Sequence, residues 1–329
     1  MNYKEEILKL KKELDVVLVA HFYQRDEVFE LADITGDSLE LAKKVMESDK
    51  EFVVFCGVGF MGESAKILNP EKRVLMPRIA CCAMARMIDE GYFLENLKKM
   101  NEAGISNDDI LPITYINSSA SVKARVGEMG GMVCTSSNAY KIIEKGLQSG
   151  KKIFFVPDRC LGQNFAKSLG LKSAVIGDGT DLKEADIICY NGFCSVHQQF
   201  NIDDIDFYRE KYPGIIVAVH PECDPAVCDK ADFVGSTSQL IKFIKELPID
   251  QKVVVGTEFN MVNRLREKNT YILSSTKPEC PTMNETTLEH VYLTLKSIKD
   301  NKISELTEIK VDEKTRYWAK IALERMFEI

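Results

Sequence analysis

The stretch Val16-Val17-Leu18-Val19-Ala20-His21-Phe22-Tyr23-Gln24 opens with five apolar residues, three of them valine, and runs straight into a histidine, two aromatics and an amide. A short continuous apolar run of this kind reads as a strand buried on both faces, as in parallel sheets. Ligands of such sheets bind beyond the carboxyl ends of the strands, where His21 and Tyr23 fall. Two later stretches repeat the design: Thr114-Tyr115-Ile116-Asn117-Ser118 and Val219-His220-Pro221-Glu222. Further strands are predicted at residues 52–56, 74–76, 132–134, 153–156, 187–189, 233–234, 253–255 and 271–273, beside 16–20, 113–116 and 215–219. Helical stretches separate them, so the fold class is α/β with parallel sheets.

The repeat has a long period. Each strand-end motif leads to a second strand and a glycine- or hydroxyl-rich turn: 57–64, Thr135-Ser136-Ser137-Asn138, and Gly235-Ser236-Thr237-Ser238. A helix with an early lysine follows each (Lys66, Lys141, Lys242), then a third strand opened by 72–73, 151–152 or 251–252, then a cysteine. His21 to Cys82 spans 61 residues, Tyr115 to Cys194 79, and His220 to Cys280 60. The middle unit therefore carries an insertion of about 19 residues, expected within 162–181. Three similar lobes, each delivering one cysteine, are predicted. Helices are also expected at 4–14, with Ile7, Leu10 and Leu14 on one face, and at 286–298 and 312–327, where Trp318 is a packing anchor.

The 329 residues are 45% hydrophobic and 28% charged, a globular composition, and the net charge of −7 argues against a general nucleic-acid or anionic-membrane binder. Met1-Asn2-Tyr3-Lys4-Glu5-Glu6 lacks the apolar core of a signal peptide, and no uncharged apolar run reaches the ~18 residues of a membrane span. A cytoplasmic protein is expected, whose ten cysteines stay reduced. No CxxC has a matching partner, which disfavours a zinc ribbon or a thioredoxin-like site. Three cysteines meeting at one point would ligate three irons of a [4Fe–4S] cube and leave the fourth open as a Lewis acid. Spacing alone leaves this open beside the simpler reading of small buried hydrophobes.

The turns opening helices suit Ser136 and Thr237 to a carboxylate or phosphate, or make Ser136 and Ser236 ordinary N-caps. His220-Pro221-Glu222 pairs an imidazole with a carboxylate whose pKa would rise on burial, making a general acid or base; the plainer reading is a solvated turn. Tyr23 could transfer a proton if a nearby cation lowered its pKa. Gly57-Val58-Gly59-Phe60-Met61-Gly62 matches the dinucleotide fingerprint, but the next strand, 74–76, runs into Pro77-Arg78 with no acid to hold a ribose.

Together these motifs resemble the quinolinate synthase family over essentially the full chain. The resemblance rests on Ala20-His21-Phe22-Tyr23-Gln24, Gly36-Asp37-Ser38-Leu39, Phe60-Met61-Gly62-Glu63-Ser64-Ala65-Lys66, Tyr115-Ile116-Asn117-Ser118, Cys134-Thr135-Ser136-Ser137-Asn138 and Pro157-Asp158. It continues through Gly192-Phe193-Cys194-Ser195-Val196-His197, His220-Pro221-Glu222-Cys223, Gly235-Ser236-Thr237-Ser238, Gly256-Thr257-Glu258 and Cys280-Pro281-Thr282-Met283. It implies three pseudo-symmetric three-layer αβα domains with short parallel sheets around a central [4Fe–4S] cluster. The expected boundaries are 1–88 (with 284–329 packing back), 89–199 and 200–283.

The resemblance also implies a transferase of NAD biosynthesis, condensing iminoaspartate with dihydroxyacetone phosphate to quinolinate with loss of phosphate and two waters. An L-aspartate oxidase or aspartate dehydrogenase would supply the imine. The cluster ligands carry over to Cys82, Cys194 and Cys280; Cys82 is preferred to Cys81 because Cys82-Ala83-Met84-Ala85 fits the family pattern. Substrate contacts carry over to His21, Ser38, Tyr115, Asn117, Ser136, His220, Glu222 and Thr237, and proton transfer to Tyr23 and Glu222, with His220 beside them. The alternatives are an iron–sulfur hydro-lyase acting on a small polycarboxylate and a non-catalytic iron–sulfur or thiol redox sensor.

Overall fold

The computed structural model describes residues 2–328. Three separate parallel sheets carry the strands. The first holds β1 (Val16–His21), β2 (Ile34–Gly36), β3 (Phe52–Cys56) and β4 (Arg73–Leu75) in the order β2-β1-β3-β4. The second holds β5 (Ile110–Tyr115), β6 (Met132–Cys134), β7 (Lys152–Val156), β8 (Ser173–Val175) and β9 (Ile187–Cys189) in the order β6-β5-β7-β9-β8. The third holds β10 (Ile216–Val219), β11 (Phe233–Val234), β12 (Val253–Gly256) and β13 (Thr270–Ile272) in the order β11-β10-β12-β13. Every residue of β1 and β5 is buried, which is why β1 reads as an apolar run up to His21; β5 begins three residues before the strand expected at 113–116. Helices flank the sheets, so the architecture is three αβα lobes.

The three sheets share one strand order once β8 is set aside, and β8, an edge strand at 173–175, is the insertion expected in the middle lobe. The repeat expected from sequence is shifted by one strand in the first lobe. The turn after β2, Gly36-Asp37-Ser38, is the counterpart of the turns after β6 and β11, because β2, β6 and β11 all pair with the first strand of their sheets. The stretch 57–64 follows β3 and opens the helix Gly59–Leu68 instead, and Lys72-Arg73 opens the fourth strand rather than the third. β2 reads Ile34-Thr35-Gly36, with one strongly apolar residue where the equally short β6 and β9 are apolar throughout, so it left no mark for a sequence reading.

The terminal helices close the molecule. Helix Tyr3–Glu13 buries Ile7 and Leu10 against Val291, Tyr292 and Leu295 of helix Leu288–Lys299. Helix Glu313–Glu324 packs across helices Ala120–Glu128 and Gly59–Leu68. Backbones approach so closely there that a Cβ at Gly127 would stand 2.1 Å from the Trp318 carbonyl oxygen. Trp318 itself packs against the main core, edge-on to Tyr317, as a packing anchor should. Arg73 forks onto Glu308 at 2.7 and 3.0 Å, tying the C-terminal segment to β4. Among the described residues no helix is long and apolar enough to cross a membrane.

Candidate active site

The carboxyl ends of the first strands of all three sheets meet at one cavity. His21 and Tyr23 reach it from the turn after β1, Tyr115 and Asn117 from β5, and His220 and Glu222 from β10. The first and third turns share a local device. The Tyr23 N–H donates to His21 Nδ1 at 3.1 Å, and the Glu222 N–H donates to His220 Nδ1 at 3.3 Å. With Nδ1 accepting, each neutral ring carries its proton on Nε2. Burial pulls both imidazoles below their ordinary range, His220 to about 3, against the opposing charge of Glu222 at His220 and of Asp37 at His21.

A stability prediction follows. Both histidines have folded pKa values below the unfolded 6.5, so the folded chain binds fewer protons than the unfolded one. Their contribution is complete above pH 6.5 and is lost as pH falls through 6.5 toward the folded values. These two groups should therefore pull the thermal midpoint of the chain down as pH falls below about 6.5; a midpoint flat from pH 6.5 to pH 5 would refute neutral burial.

The helices after β2, β6 and β11 begin at the cavity wall and place Ser38, Ser136 and Thr237 along it. Ser236 is the N-cap of its helix within a capping box, so for that residue the ordinary reading holds. Ser136 is not a cap; its hydroxyl faces His220 Nε2 at 3.3 Å. Asp37 joins the three starts: its Oδ2 accepts from Ser137 at 2.9 Å and Ser238 at 2.7 Å, and Ser137 Oγ, its proton given to Asp37, can accept from Ser236 Oγ at 3.0 Å. No lysine or arginine lines the cavity among the described residues. An anion there meets neutral hydroxyls, imidazoles and helix N-termini rather than a basic pocket.

Tyr23 is held by the third lobe. Asn260 donates to its carbonyl at 3.1 Å, and Arg264 gathers the Phe22 and Gln24 carbonyls and Asp26. Its hydroxyl stands 3.0 Å from both Thr237 Oγ1 and Thr257 Oγ1. Thr257 Oγ1 is 3.1 Å from His197 Nε2, and His197 Nδ1 is 2.8 Å from Glu222 Oε2. A line of close polar contacts thus runs Tyr23–Thr257–His197–Glu222, its last link an ion-pair contact rather than an aligned hydrogen bond, with His197 stacked on His220 at 4.6 Å. His197 and Thr257 were in the quoted motifs, yet nothing in the linear sequence marked them as links between Tyr23 and Glu222.

Two electrostatic expectations are overturned. Burial does oppose the Glu222 charge, but the His197 and His220 rings and hydrogen bonds from His197 and Tyr115 outweigh it, so the carboxyl lies below the usual range, not above it. Glu222 is an ionised acceptor that orients His197. Among the described residues no cation lowers the Tyr23 pKa; burial and the Glu222 charge raise it well above 10, so at rest it keeps its proton.

Cys82, Cys194 and Cys280 line the same cavity, each arriving from a different lobe. Backbone N–H groups near each sulfur (Ala85 and Met84 at Cys82, His197 at Cys194, Thr282 and Met283 at Cys280) favour the thiolate, and Cys280 Sγ stands 3.4 Å from Thr282 Oγ1. Burial raises all three thiols, Cys82 to about 12, and their mutual proximity adds to the shift at Cys82 and Cys194. Thiolates in this setting need a cation beside them. Three sulfurs around one pocket, each near backbone N–H groups, fit the donor set of a [4Fe–4S] cluster. Cys194 also groups with His197 and Glu222, whose ligand atoms lie within 4.8 Å of one another. Cys81 is exposed and outside the cavity lining, and Cys134 and Cys223 are buried outside it too.

Loops hold these cysteines in place. Gly192 pairs with Pro157 and Arg159 just before Cys194, and Glu258 Oε1 accepts the Cys280 N–H at 3.3 Å.

Comparison with known proteins agrees with this geometry. The family model described as Quinolinate synthetase A protein matches residues 5–328. A quinolinate synthase of Helicobacter pylori (strain HPAG1) is 54% identical over 334 residues, covering 100% of this chain and 98% of the relative. Quinolinate synthases of Acidobacterium capsulatum and Streptomyces coelicolor are each 40% identical over 332 residues, covering 95% and 94% of this chain and 88% and 84% of those proteins. A match running through all three lobes and every wall of the shared cavity has one conclusion: the chain belongs to the quinolinate synthase A family of enzymes.

Proposed function

We propose that this chain joins iminoaspartate to dihydroxyacetone phosphate, forming quinolinate with loss of phosphate and two waters, as a cytoplasmic step toward NAD. The observation that carries the reading is the meeting of three thiols and the Tyr23–Thr257–His197–Glu222 chain at one cavity. Cys82, Cys194 and Cys280 would hold the [4Fe–4S] cluster, which when bound supplies an open iron as Lewis acid for a substrate oxygen.

The remaining roles belong to the protein. Ser38, Ser136 and Thr237 at helix starts, with His21, His220, Tyr115 and Asn117, hold the carboxylates and the phosphate. Condensation and dehydration need protons taken from carbon and delivered to leaving oxygens. Tyr23, protonated at rest, donates at its hydroxyl. When that oxygen must take a proton, Thr257 passes one on to His197, and the ionised Glu222 stabilises the imidazolium. The imine would come from an aspartate oxidase or dehydrogenase.

The test is anaerobic reconstitution followed by an assay with both substrates. About four irons and four sulfides per chain and quinolinate formed only when both substrates are present is the expected result. Dehydration of a polycarboxylate without the triose phosphate would favour a hydro-lyase. Iron binding with no turnover would favour a sensor, and a colourless chain without iron would sink the cluster.

A further inference from the structure

Lys123 sits in helix Ala120–Glu128 and is fully buried, yet it does not line the cavity. Its ammonium donates to the Ile116 carbonyl at 2.8 Å and to the Ser118 carbonyl. Those two carbonyls bracket Asn117, which faces the cavity. The same turn is tied by Ser118 Oγ donating to the Tyr115 carbonyl at 3.0 Å and by Thr114 Oγ1 donating to Ser118 Oγ at 2.9 Å. On its other side the ammonium lies 5.5 Å from the ring centroid of Phe60, a cavity residue of the first lobe. Glu63, on the helix that carries Phe60, accepts the Ala120 N–H at 2.8 Å at the start of the lysine's own helix. Burial draws the Lys123 pKa down to about 7, with Glu63 opposing the shift.

A buried ammonium is costly unless something depends on it. A surface lysine could not reach both carbonyls of this turn, and an apolar residue would remove the tie between them, leaving Ile116 only the Ser118 N–H at 2.8 Å. We propose that Lys123 is a positioning residue of the substrate site: it fixes the turn 115–118 from behind so that Asn117 and Tyr115 meet the substrate. The inference rests on the function proposed above, since it concerns how the anionic substrates of that reaction are held.

The test compares Lys123→Met and Lys123→Gln with the wild-type chain, all carrying the reconstituted cluster. Cluster absorbance and iron content should match the wild type. The KM for dihydroxyacetone phosphate and the Kd for quinolinate should rise about 10- to 100-fold, with kcat changed much less, the size expected when a binding group is displaced by about 1 Å. In an Asn117→Ala background, Lys123→Met should add little, because its effect runs through that side chain. Unchanged binding, full additivity with Asn117→Ala, or failure of both variants to fold would overturn the proposal, the last by assigning Lys123 to the core alone. A wild-type chain that makes no quinolinate would instead overturn the function.

Discussion

Cys82→Ser, Cys194→Ser and Cys280→Ser should each purify without a stable iron–sulfur cluster, while Cys56→Ser, Cys160→Ser and Cys81→Ser should keep it. Serine removes the soft donor that iron in a cluster selects and offers an alcohol whose pKa is far too high to bind as alkoxide in this pocket. Each of the three thiols is raised by burial, so the protein alone does not form the thiolates; the bound metal must. The loss should therefore be close to complete rather than graded. Iron and sulfide content and the visible absorbance of anaerobically reconstituted chains are the measurements. The contrast between neighbours is the sharpest part. Cys81 is exposed and Cys82 lines the cavity, so a cluster that survives Cys82→Ser and is lost in Cys81→Ser would shift the ligand set by one residue.

Glu222→Gln should keep the cluster and lose kcat by about 10²- to 10⁴-fold, the range for removing an acid–base element. Its carboxylate lies 2.8 Å from His197 Nδ1, where its charge favours a proton on Nδ1 and leaves Nε2 free to take the Thr257 proton. A glutamine still accepts that bond through its amide oxygen, but the charge that stabilises the imidazolium is gone. Thr257→Val cuts the same chain at the link to Tyr23 while nearly preserving volume. If the chain acts as a unit, the double variant should be no slower than the worse single one. Multiplying losses, or wild-type turnover in either single variant, would remove the relay.

Much of this was legible in sequence because it depends on local chemistry. A strand buried in a parallel sheet is largely apolar, so β1, β10 and the 113–115 part of β5 were legible, and residues at or just past their ends line the cavity. The spacing of His21 to Cys82 and His220 to Cys280 survives because both units contain the same four strands, and the longer middle interval is explained by β8. The slip in repeat register came from β2, three residues long, whose turn holds Asp37. Without β2 in view, Asp37 could not be seen as the carboxylate that joins three helix starts.

By itself the sequence determined the fold class, the threefold repeat, one cysteine per lobe and the family, because periodicity, burial and motif order are written along the chain. Only the tertiary structure decided how the parts act together. It reversed the expected direction of the Glu222 shift, since that depends on donors from residues 107 and 25 positions away, Tyr115 and His197. It linked Tyr23 to Glu222 through Thr257 and His197, brought in from 234 and 174 residues along the chain. It also placed Lys123 behind Asn117. Hydrogen bonds and desolvation are set by distance in space, and at ångström range sequence separation carries no information about which groups will meet.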